Sequence, residues 1–398
     1  MHMTGQNPNV WFQTVVVRHD SIRHDRYLHL PARDAVKVTE GFAYRYISES
    51  HDDWKELHRG RLTSSRLSGL LNMFAPPNAK TLGFRASSHE GHRRMLDAYE
   101  HLTGATTCIS DIDGEMMSPE EAARYNRQAH MDHLDATIVS ENGGLDSDEA
   151  FAVEEMKVKK ARHLRSLGSI ERVRMAWGSA QEASTIQTLC ERWQGKGRYF
   201  MEVGLLEPSR EALQRLGFDE GDLPPLGSTP DALCVEATSR EVAIDTFASP
   251  ALCSTSVHVV EVKNSTPFRI SKRKKAFELY DRGPRERVDP VLVPQLQLHM
   301  LASDASAAYL VSRSATKGTN VFEMQRDDEY IAALLRIVKV FYERYVLRKR
   351  VPPKNALSDL KEHKQLLLRT KEIAWRCKLR EHIEHAELEG ADLRSFLD

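Results

Sequence analysis

The chain has 398 residues, of which 41% are hydrophobic and 28% are charged, and its formal net charge is −1. This balance is typical of globular proteins, and the length allows one large domain or two smaller ones. Because no apolar run approaches the roughly 20 residues that span a bilayer, and the first residues do not resemble a signal peptide, we expect neither a membrane protein nor a secreted one.

The five cysteines are scattered along the chain and form no Cys-x-x-Cys pair. They indicate neither a disulfide framework nor a zinc site and favour a reducing compartment, so we expect the protein in the cytoplasm or the nucleus. The near-neutral charge does not point to a nucleic-acid partner, but it does not exclude one, because attraction to phosphate depends on local patches of charge.

The N-terminal third alternates helical patterns with irregular stretches. Residues 1–50 predict an N-terminal extension with one short strand over Val10–Val17. Residues 54–74 predict two helices around an Arg-Gly break, and the second helix opens at Thr63 or Ser64. Hydroxyl residues of this kind suit an N-cap, and a helix start presents free N–H groups to an anion.

The middle of the chain is less regular. It predicts a helix over Glu90–Leu102, then an acidic insertion, either a subdomain or a loop, over about residues 106–160. The run Glu141-Asn142-Gly143-Gly144 interrupts this insertion, since such residues break regular structure. Helical periodicity returns from Val158 to Gln194.

The second half of the chain is rich in strand signals. The helix Val293–Ser303 is predicted between strands, and a long amphipathic helix over Asp327–Arg350 ends before two prolines. Residues 351–398 predict a charged helical tail that we interpret as a partner-binding arm. This order favours an α/β fold with a mixed central sheet. The predicted strands are Tyr199–Leu205, Ala232–Ala237, Val257–Lys263, Ala308–Ser312 and Asn320–Met324.

Two acidic residues and a lysine lie at the edges of two predicted strands. Asp231 follows a proline, and Glu261 and Lys263 share one face of a β-branched strand because side chains alternate along it. Two carboxylates hold hard divalent cations through oxygen, and an ammonium group steadies an attacking water, so the pattern points to metal-assisted phosphodiester hydrolysis. A surface ion pair explains the Glu-x-Lys spacing about equally well.

Three more polar residues are candidates for the same site. Glu182 lies on the helix upstream and is able to supply a third carboxylate, whereas Gln295 and Gln297 open an otherwise apolar helix and are candidates to contact a phosphate. Taken singly, each is more simply interpreted as ordinary polarity on a helix surface.

A basic run follows the predicted site. Next to a hydrolytic site it predicts contact with the DNA backbone, which positions DNA without reading its sequence. A solvated loop or a nuclear-import signal are the alternatives. The run consists of Arg269, Lys272, Arg273, Lys274 and Lys275.

Taken together, six blocks in order resemble the lambda-exonuclease and YqaJ-type viral recombinase family of the PD-(D/E)XK nuclease superfamily. The resemblance covers roughly residues 54–346 and implies a restriction-endonuclease-like core over residues 51–350. The blocks are Trp54–Ser65, Ala176–Gly178 with Glu182, Thr229–Cys234, Glu261–Lys263 with Pro267-Phe268, Gln295–Gln297 and Gln325–Tyr330.

The resemblance also assigns roles to the acidic residues. It implies that Asp231, Glu261, Glu182 and the backbone carbonyl of Val262 are metal ligands and that Lys263 positions the nucleophilic water. Such sites hold Mg²⁺, or Mn²⁺ in its place, and a pair of ions assists both the attacking and the leaving oxygen.

A pocket for a terminal 5′-phosphate is implied as well. Thr63, Ser65 and Gln295 match the family pattern there, but His58 stands where an arginine is expected. We expect Arg59 or Arg61 to take the place of that arginine, since a guanidinium suits bidentate phosphate binding. The long connection between the two acidic blocks, a tight hairpin in the family, predicts an extended hairpin or a flap here.

The leading hypothesis is a Mg²⁺-dependent deoxyribonuclease that degrades one strand of linear duplex DNA, as a 5′→3′ exonuclease that produces single strand for recombination or repair. The resemblance allows a homotrimer and a partner that anneals the single strand. The alternatives are a herpesvirus-like alkaline nuclease with endonuclease or RNase activity and a DNA-binding protein with a degenerate nuclease core.

Overall fold

A computed structural model of the protein describes residues 22–30, 54–74, 88–105, 177–248, 257–270 and 277–384. The predicted strand over Val10–Val17, the predicted insertion and the basic residues Lys272, Arg273, Lys274 and Lys275 lie outside the described residues.

The described segments form helices and strands that we number in chain order. The helices are α1 (Trp54–His58), α2 (Ser64–Leu70), α3 (Ser88–Thr103), α4 (Glu182–Arg192), α5 (Arg210–Arg215), α6 (Arg240–Ala248), α7 (Val293–Ser303), α8 (Asp328–Phe341) and α9 (Lys361–Arg376). The strands are β1 (Tyr27–Leu28), β2 (Leu62–Thr63), β3 (Arg198–Met201), β4 (Leu226–Gly227), β5 (Ala232–Glu236), β6 (Val257–Val262), β7 (Phe268–Ile270), β8 (Phe277–Leu279), β9 (Ala307–Arg313), β10 (Thr319–Gln325) and β11 (Lys378–Ile383).

Seven of these strands form a mixed sheet in the order β1-β3-β5-β6-β9-β10-β11. The central strand β6 is antiparallel to β5 and parallel to β9. Helix α7 lies in the connection between β6 and β9, as expected when two parallel neighbours are joined by a crossover helix. The predicted α/β fold with a mixed central sheet flanked by helices is therefore confirmed.

The two faces of the sheet pack against different helices. Along β6, Val257 and Val259 belong to the apolar core shared with α7, α8 and α9, whereas Val260 and Val262 belong to the core shared with α4. Strand alternation therefore points Glu261 toward α7, on the same face as Val259. A carboxylate is thus placed inside an otherwise apolar layer.

The connection between β5 and β6 differs from the prediction of an extended hairpin or flap. The two strands are antiparallel neighbours, but the connection contains helix α6. Ala243 and Phe247 of this helix are buried in the core on the α7 side of the sheet. Burial of these apolar side chains favours the helix over a bare hairpin.

The last segment also differs from the prediction of a separate charged tail. Helix α9 buries Leu366, Leu367 and Ile373 in the same core as α7 and α8. Strand β11 then completes the seven-stranded sheet by pairing with β10. As far as Glu384, where the described residues end, the charged residues that suggested a tail lie on the outer face of an amphipathic helix and on an edge strand, where charges are common. Among the helices described, none combines the length and the apolar character that crossing a membrane requires.

Candidate functional site

Asp231 and Glu261 meet at the end of two neighbouring strands. The last paired residues are Ala232 of β5 and Val260 of β6, so the next position on each strand places Asp231 across from Glu261. Asp231 Oδ2 accepts a hydrogen bond of 2.5 Å from the N–H of Val262. Because the N–H and C=O of one residue in a strand point to the same side, the Val262 carbonyl also faces Asp231.

The carboxylate of Glu261 is held on several sides. Its side chain is 3% exposed, and its Oε1 accepts hydrogen bonds from Lys263 Nζ and, at 2.6 Å, from Gln295 Nε2 of α7. His299 lies one turn further along α7 and places its Nε2 3.2 Å from Glu261 Oε2. Residues four apart on a helix face the same way, which explains why Gln295 and His299 reach one carboxylate.

His299 connects Glu261 to the loop that precedes Asp231. The imidazole is fully buried, and its Nδ1 lies 2.6 Å from the hydroxyl of Ser228. Ser228 is itself fixed by backbone hydrogen bonds with Leu206. His299 therefore links the side chain of Glu261 to the loop that leads to Asp231, in addition to the link through the sheet.

The electrostatics of the two acids differ. Burial, together with the charges of Glu182 and Glu261, raises the pKa of Asp231 well above its ordinary value. Burial also acts to raise the pKa of Glu261, but Lys263 and His299 outweigh it and lower that pKa to about 2. Burial opposes the charge on Lys263, whereas the nearby carboxylates raise its pKa, so the ammonium form is favoured. Asp231, which lies near other carboxylates, and Glu261, which is paired with Lys263, together suit a site that binds a cation.

Glu182 approaches the same acids from the other face of the sheet. It is the first residue of α4, it is partly exposed, and its charge raises the pKa of both Asp231 and Lys263. Asn264 fastens the start of this helix to the end of β6. Its side chain accepts a hydrogen bond of 2.9 Å from Thr185 Oγ1 and donates one of 3.0 Å to the carbonyl of Gly178.

A cleft of about 170 Å³ opens beside these carboxylates. It joins the acidic site to the start of α2, where Thr63, Ser65 and Arg66 carry the polar groups. Thr63 is the N-cap of α2, as predicted, but its hydroxyl does not cap the helix and instead lies 3.2 Å from Arg66 Nη1. The cleft is lined by His58, Thr63, Ser64, Ser65, Arg66, Gly227, Ser228, Thr229, Asp231, Glu261 and Gln295.

The arginine in this cleft is not one of the two predicted. Arg61 forms an ion pair with Glu207, and Arg59 is exposed and pairs with Glu56 at 2.8 Å. Neither lines the cleft, whereas Arg66 does. Burial, with the nearby charges of His101, Arg66 and Arg61, lowers the pKa of His58 to about 4. His58 is therefore neutral at pH 7, and the positive charge in this part of the cleft comes from Arg66, whose Nε also pairs with the exposed Asp97 at 3.3 Å.

Two further predicted phosphate contacts lie elsewhere. Gln297 is fully buried and uses both ends of its amide, donating to the Gln325 carbonyl at 2.9 Å and accepting from the Asp327 N–H at 3.0 Å. The prediction that Gln297 contacts phosphate does not fit this placement. Arg269 is exposed, with its guanidinium 4.1 Å from the centre of the Tyr280 ring.

The acidic residues suit a hard divalent cation by their chemistry. Asp231, Glu261, Glu182 and the Val262 carbonyl offer oxygen atoms, which are the ligands that Mg²⁺ and Mn²⁺ prefer. Glu261 Oε2 is buried and makes no well-aligned hydrogen bond with a described residue, although His299 Nε2 lies 3.2 Å away, and burial together with the charges of Glu182 and Glu261 raises the pKa of Asp231. In the same part of the chain, no three acidic, histidine or cysteine side chains converge as a complete metal-binding group.

Sequence reasoning did not identify Arg66, His299, Ser228 or Asn264. The spacing of Gln295 and His299 on one predicted helix was a usable signal, since residues at i and i+4 share a face. Arg66 follows Thr63 by three residues on α2, which is a signal of the same kind. Nothing local marks Ser228 or Asn264, because their partners come from distant segments.

No protein-family model matches the chain, and no curated protein matches it. Among solved structures, the chain is similar to the crystal structure of an alkaline exonuclease from Laribacter hongkongensis. The two chains are 14% identical, the match covers 75% of this chain and 97% of that one, and the TM-score is 0.32. A likeness this distant does not decide the function of the protein, which must be inferred from the residues of the site.

Proposed function

We propose that the protein is a Mg²⁺-dependent deoxyribonuclease with a PD-(D/E)XK core, which removes nucleotides from one strand of linear duplex DNA in the 5′→3′ direction. One observation carries the proposal. A single cleft joins the pair Asp231 and Glu261 to a pocket with hydroxyl and guanidinium groups at Thr63, Ser65 and Arg66. The first group suits phosphodiester hydrolysis, and the second suits a bound phosphate.

Each residue near the acids has a distinct task in this proposal. Lys263 remains protonated, because the surrounding carboxylates raise its pKa, and its side chain is 29% exposed, so it is able to donate to a water or a phosphate oxygen. Gln295 and His299 hold the Glu261 carboxylate in place. A fixed carboxylate and a fixed ammonium avoid reorganisation during reaction, which is the main source of electrostatic catalysis.

Asp231, Glu261, Glu182 and the Val262 carbonyl would hold the cation. When bound, a divalent cation supplies charge stabilisation to the attacking and leaving oxygens of a phosphodiester. Because burial and the charges of Glu182 and Glu261 raise the pKa of Asp231, coordination of a cation by this acid would favour its ionised form.

The phosphate pocket is the feature that favours action at an end of DNA. Arg66 carries the positive charge there, and the hydroxyls of Thr63 and Ser65 lie 3.3 Å apart beside it. The hydroxyl oxygen of Thr229 is also buried without a hydrogen bond to another described residue, and Thr229 lines the same cleft. A terminal 5′-phosphate supplies acceptors for such donors and is attached to only one nucleotide. An internal phosphate is attached to a nucleotide on each side, and the pocket would have to accommodate both.

The test uses two linear duplexes that differ only in a 5′-phosphate or a 5′-hydroxyl end, labelled at the opposite 3′ end. We expect Mg²⁺-dependent, chelator-sensitive loss of nucleotides, faster on the phosphorylated end. Lys263→Ala is expected to lower the rate by roughly 10²–10⁴-fold while retaining DNA binding, the range that a positioned proton donor or charge supplies.

A closed circular duplex separates the competing functions. Its cleavage with Mg²⁺ would support an alkaline nuclease with endonuclease activity instead, and degradation of RNA would extend the substrate class. Binding of DNA by the wild-type protein without any metal-dependent cleavage would contradict the enzyme and leave a degenerate nuclease core.

A further inference from the structure

Helix α9 has an outward face that the candidate nuclease site does not use. Residues at spacings of three and four along this helix lie on one side of it. The opposite side is buried in the core through Leu366, Leu367 and Ile373, among others. We call the outward face the basic stripe; its residues are Lys361, Lys364, Leu368, Lys371 and Trp375.

Trp375 is the most prominent member of the stripe. Its side chain is 76% exposed, the largest value among the large apolar residues described as exposed, and Leu368 two turns earlier is 49% exposed. The indole of Trp375 makes no hydrogen bond or ring contact with another residue of the described part of the chain. Scattered exposed apolar residues are ordinary, but an indole aligned with three lysines is an organised surface.

The stripe carries positive charge that no acid among the described residues pairs with. Lys361, Lys364 and Lys371 form no ion pair with any residue that the structure describes. The neighbouring acid Glu372 lies beside the stripe and is already paired, at 3.4 Å with Arg369 and at 2.6 Å with Arg376. Lys378, the first residue of β11 just beyond the helix, is also exposed.

We propose that the basic stripe binds single-stranded DNA. Surfaces that bind single strands without reading sequence combine lysines or arginines that follow the phosphates with an aromatic side chain on which a base stacks. Trp375 offers the stacking surface, and the lysines offer the charges. A single strand is favoured over a duplex because only an unpaired base exposes its face to an indole.

A protein partner fits the stripe less well. A docked protein would bury Trp375 against apolar side chains. A stripe that served this purpose would be expected to have a more continuous apolar surface than this one. Here lysines alternate with Leu368 and Trp375 along roughly 21 Å of helix, at 1.5 Å per residue. Alternation of this kind complements a charged backbone that carries aromatic bases.

The stripe begins near the helix that lines the candidate site. His363, at the start of α9, places Nε2 2.8 Å from the carbonyl of Leu71, just after the end of α2. The beginning of α2 lines the cleft through Ser64 and Ser65. In the proposed nuclease, the stripe would hold the single strand that remains after digestion, and this role rests on the proposed function. The binding of single-stranded DNA by itself does not rest on it.

The experiment measures binding without cleavage. The full-length Lys263→Ala protein in EDTA is titrated into fluorescein-labelled oligothymidylate, and anisotropy gives the affinity at several salt concentrations. Adding Trp375→Ala is expected to weaken binding by about 5- to 100-fold, the effect of losing one base stack. Replacing the lysines at 361, 364 and 371 with glutamine is expected to reduce the slope of log affinity against log salt by about 2.

Ile244→Ala is the matched control, because Ile244 is an apolar residue of α6 that is 46% exposed outside the stripe. The Ile244→Ala variant should bind oligothymidylate with the affinity of the parent Lys263→Ala protein, and thermal melts should show that all variants are folded. Unchanged affinity and salt slope in both stripe variants would overturn the proposal. A loss of affinity for a blunt duplex equal to the loss for oligothymidylate would also overturn it. A change in sedimentation on Trp375→Ala, with DNA binding intact, would instead mark an interface between copies or with a protein.

The two proposals fail in different ways. If the wild-type protein cleaves no DNA with Mg²⁺ but oligothymidylate binding depends on Trp375, the nuclease is contradicted and the stripe stands. If cleavage occurs and binding ignores the stripe, the stripe is contradicted and the nuclease stands.

Discussion

The carboxylate of Asp231 accepts a hydrogen bond from the backbone N–H of Val262, the residue next to Glu261. The Val262 N–H thus holds Asp231 at a fixed separation from Glu261, because Val262 and Glu261 are neighbours on the same strand. The antiparallel pairing of β5 and β6 sets this register. The opposed pKa shifts of the two acids then result from their surroundings, since Lys263 lies closest to Glu261.

Asp231→Asn is expected to stabilise the metal-free protein and to abolish cleavage. The pKa of Asp231 is raised in the folded state by burial and by the charges of Glu182 and Glu261. For a raised pKa, the stability from this group is complete below its unfolded value and is lost as pH rises through the folded value. Asparagine keeps an acceptor for Val262 without the charge.

Urea unfolding in EDTA at pH 8 tests this expectation. The variant should be more stable by about 1.4 kcal/mol for each unit by which the pKa is raised, and the difference should vanish below about pH 3.8. Asp245→Asn, on the exposed side of α6, is the control and should change little. A less stable Asp231→Asn protein at pH 8 would contradict the electrostatic account.

Arg66→Gln is expected to remove the preference for a 5′-phosphate end. Arg66 lines the cleft beside Thr63, so its loss should slow digestion of the phosphorylated duplex and leave that of the 5′-hydroxyl duplex nearly unchanged. Initial rates on the two ends measure the preference. Arg59→Gln is the matched control, because Arg59 is 75% exposed and pairs with Glu56 outside the cleft. Equal slowing on both ends would assign Arg66 to general DNA binding.

His299→Leu is expected to raise the metal concentration needed for half-maximal activity by about 10- to 100-fold, the usual cost of removing a residue that orients a ligand. His299 lies 3.2 Å from Glu261 and is oriented by Ser228. Mn²⁺ titration followed by both cleavage and calorimetry provides the measurement. His299→Gln, which keeps a donor near Glu261, should recover part of the affinity. Equal metal affinity in the wild-type and His299→Leu proteins would limit His299 to packing.

Elements with a strong local pattern were predictable from the sequence. Helix α7 has its predicted bounds, Val293–Ser303, because a proline opens it and Asp304, in a left-handed conformation, ends it. Strand β6 was predictable because its β-branched residues alternate across two buried faces; it has its predicted start and ends one residue before its predicted end. The same alternation correctly placed Glu261 on one face of the strand, although the catalytic role of this residue stays a prediction.

Elements that depend on distant partners were not predictable. Strand β11 reads Lys-Leu-Arg-Glu-His-Ile, which has no apolar alternation, and it forms a strand because β10 offers an open edge. The choice of arginine in the cleft has the same origin. Glu207, far along the chain, pairs with Arg61 and holds it outside the cleft, which leaves Arg66 as the cation.

Asn264→Ala is expected to lower both stability and activity, although the residue lies outside the cleft. Its side chain connects Thr185 and Gly178, on either side of Glu182, to the end of β6 that carries Glu261. Loss of two partly buried hydrogen bonds should reduce the free energy of unfolding by about 1–3 kcal/mol.

The two effects of this substitution are separable. If Asn264 acts by positioning Glu182, the folded variant should be less active than the wild-type protein even at saturating metal. The reason is that a misplaced carboxylate reduces the preorganisation of the site. Ser358→Ala, which removes an exposed hydrogen bond after α8, is the control for a general effect of surface substitution. Full activity of folded Asn264→Ala protein would show that the start of α4 keeps its position without this amide.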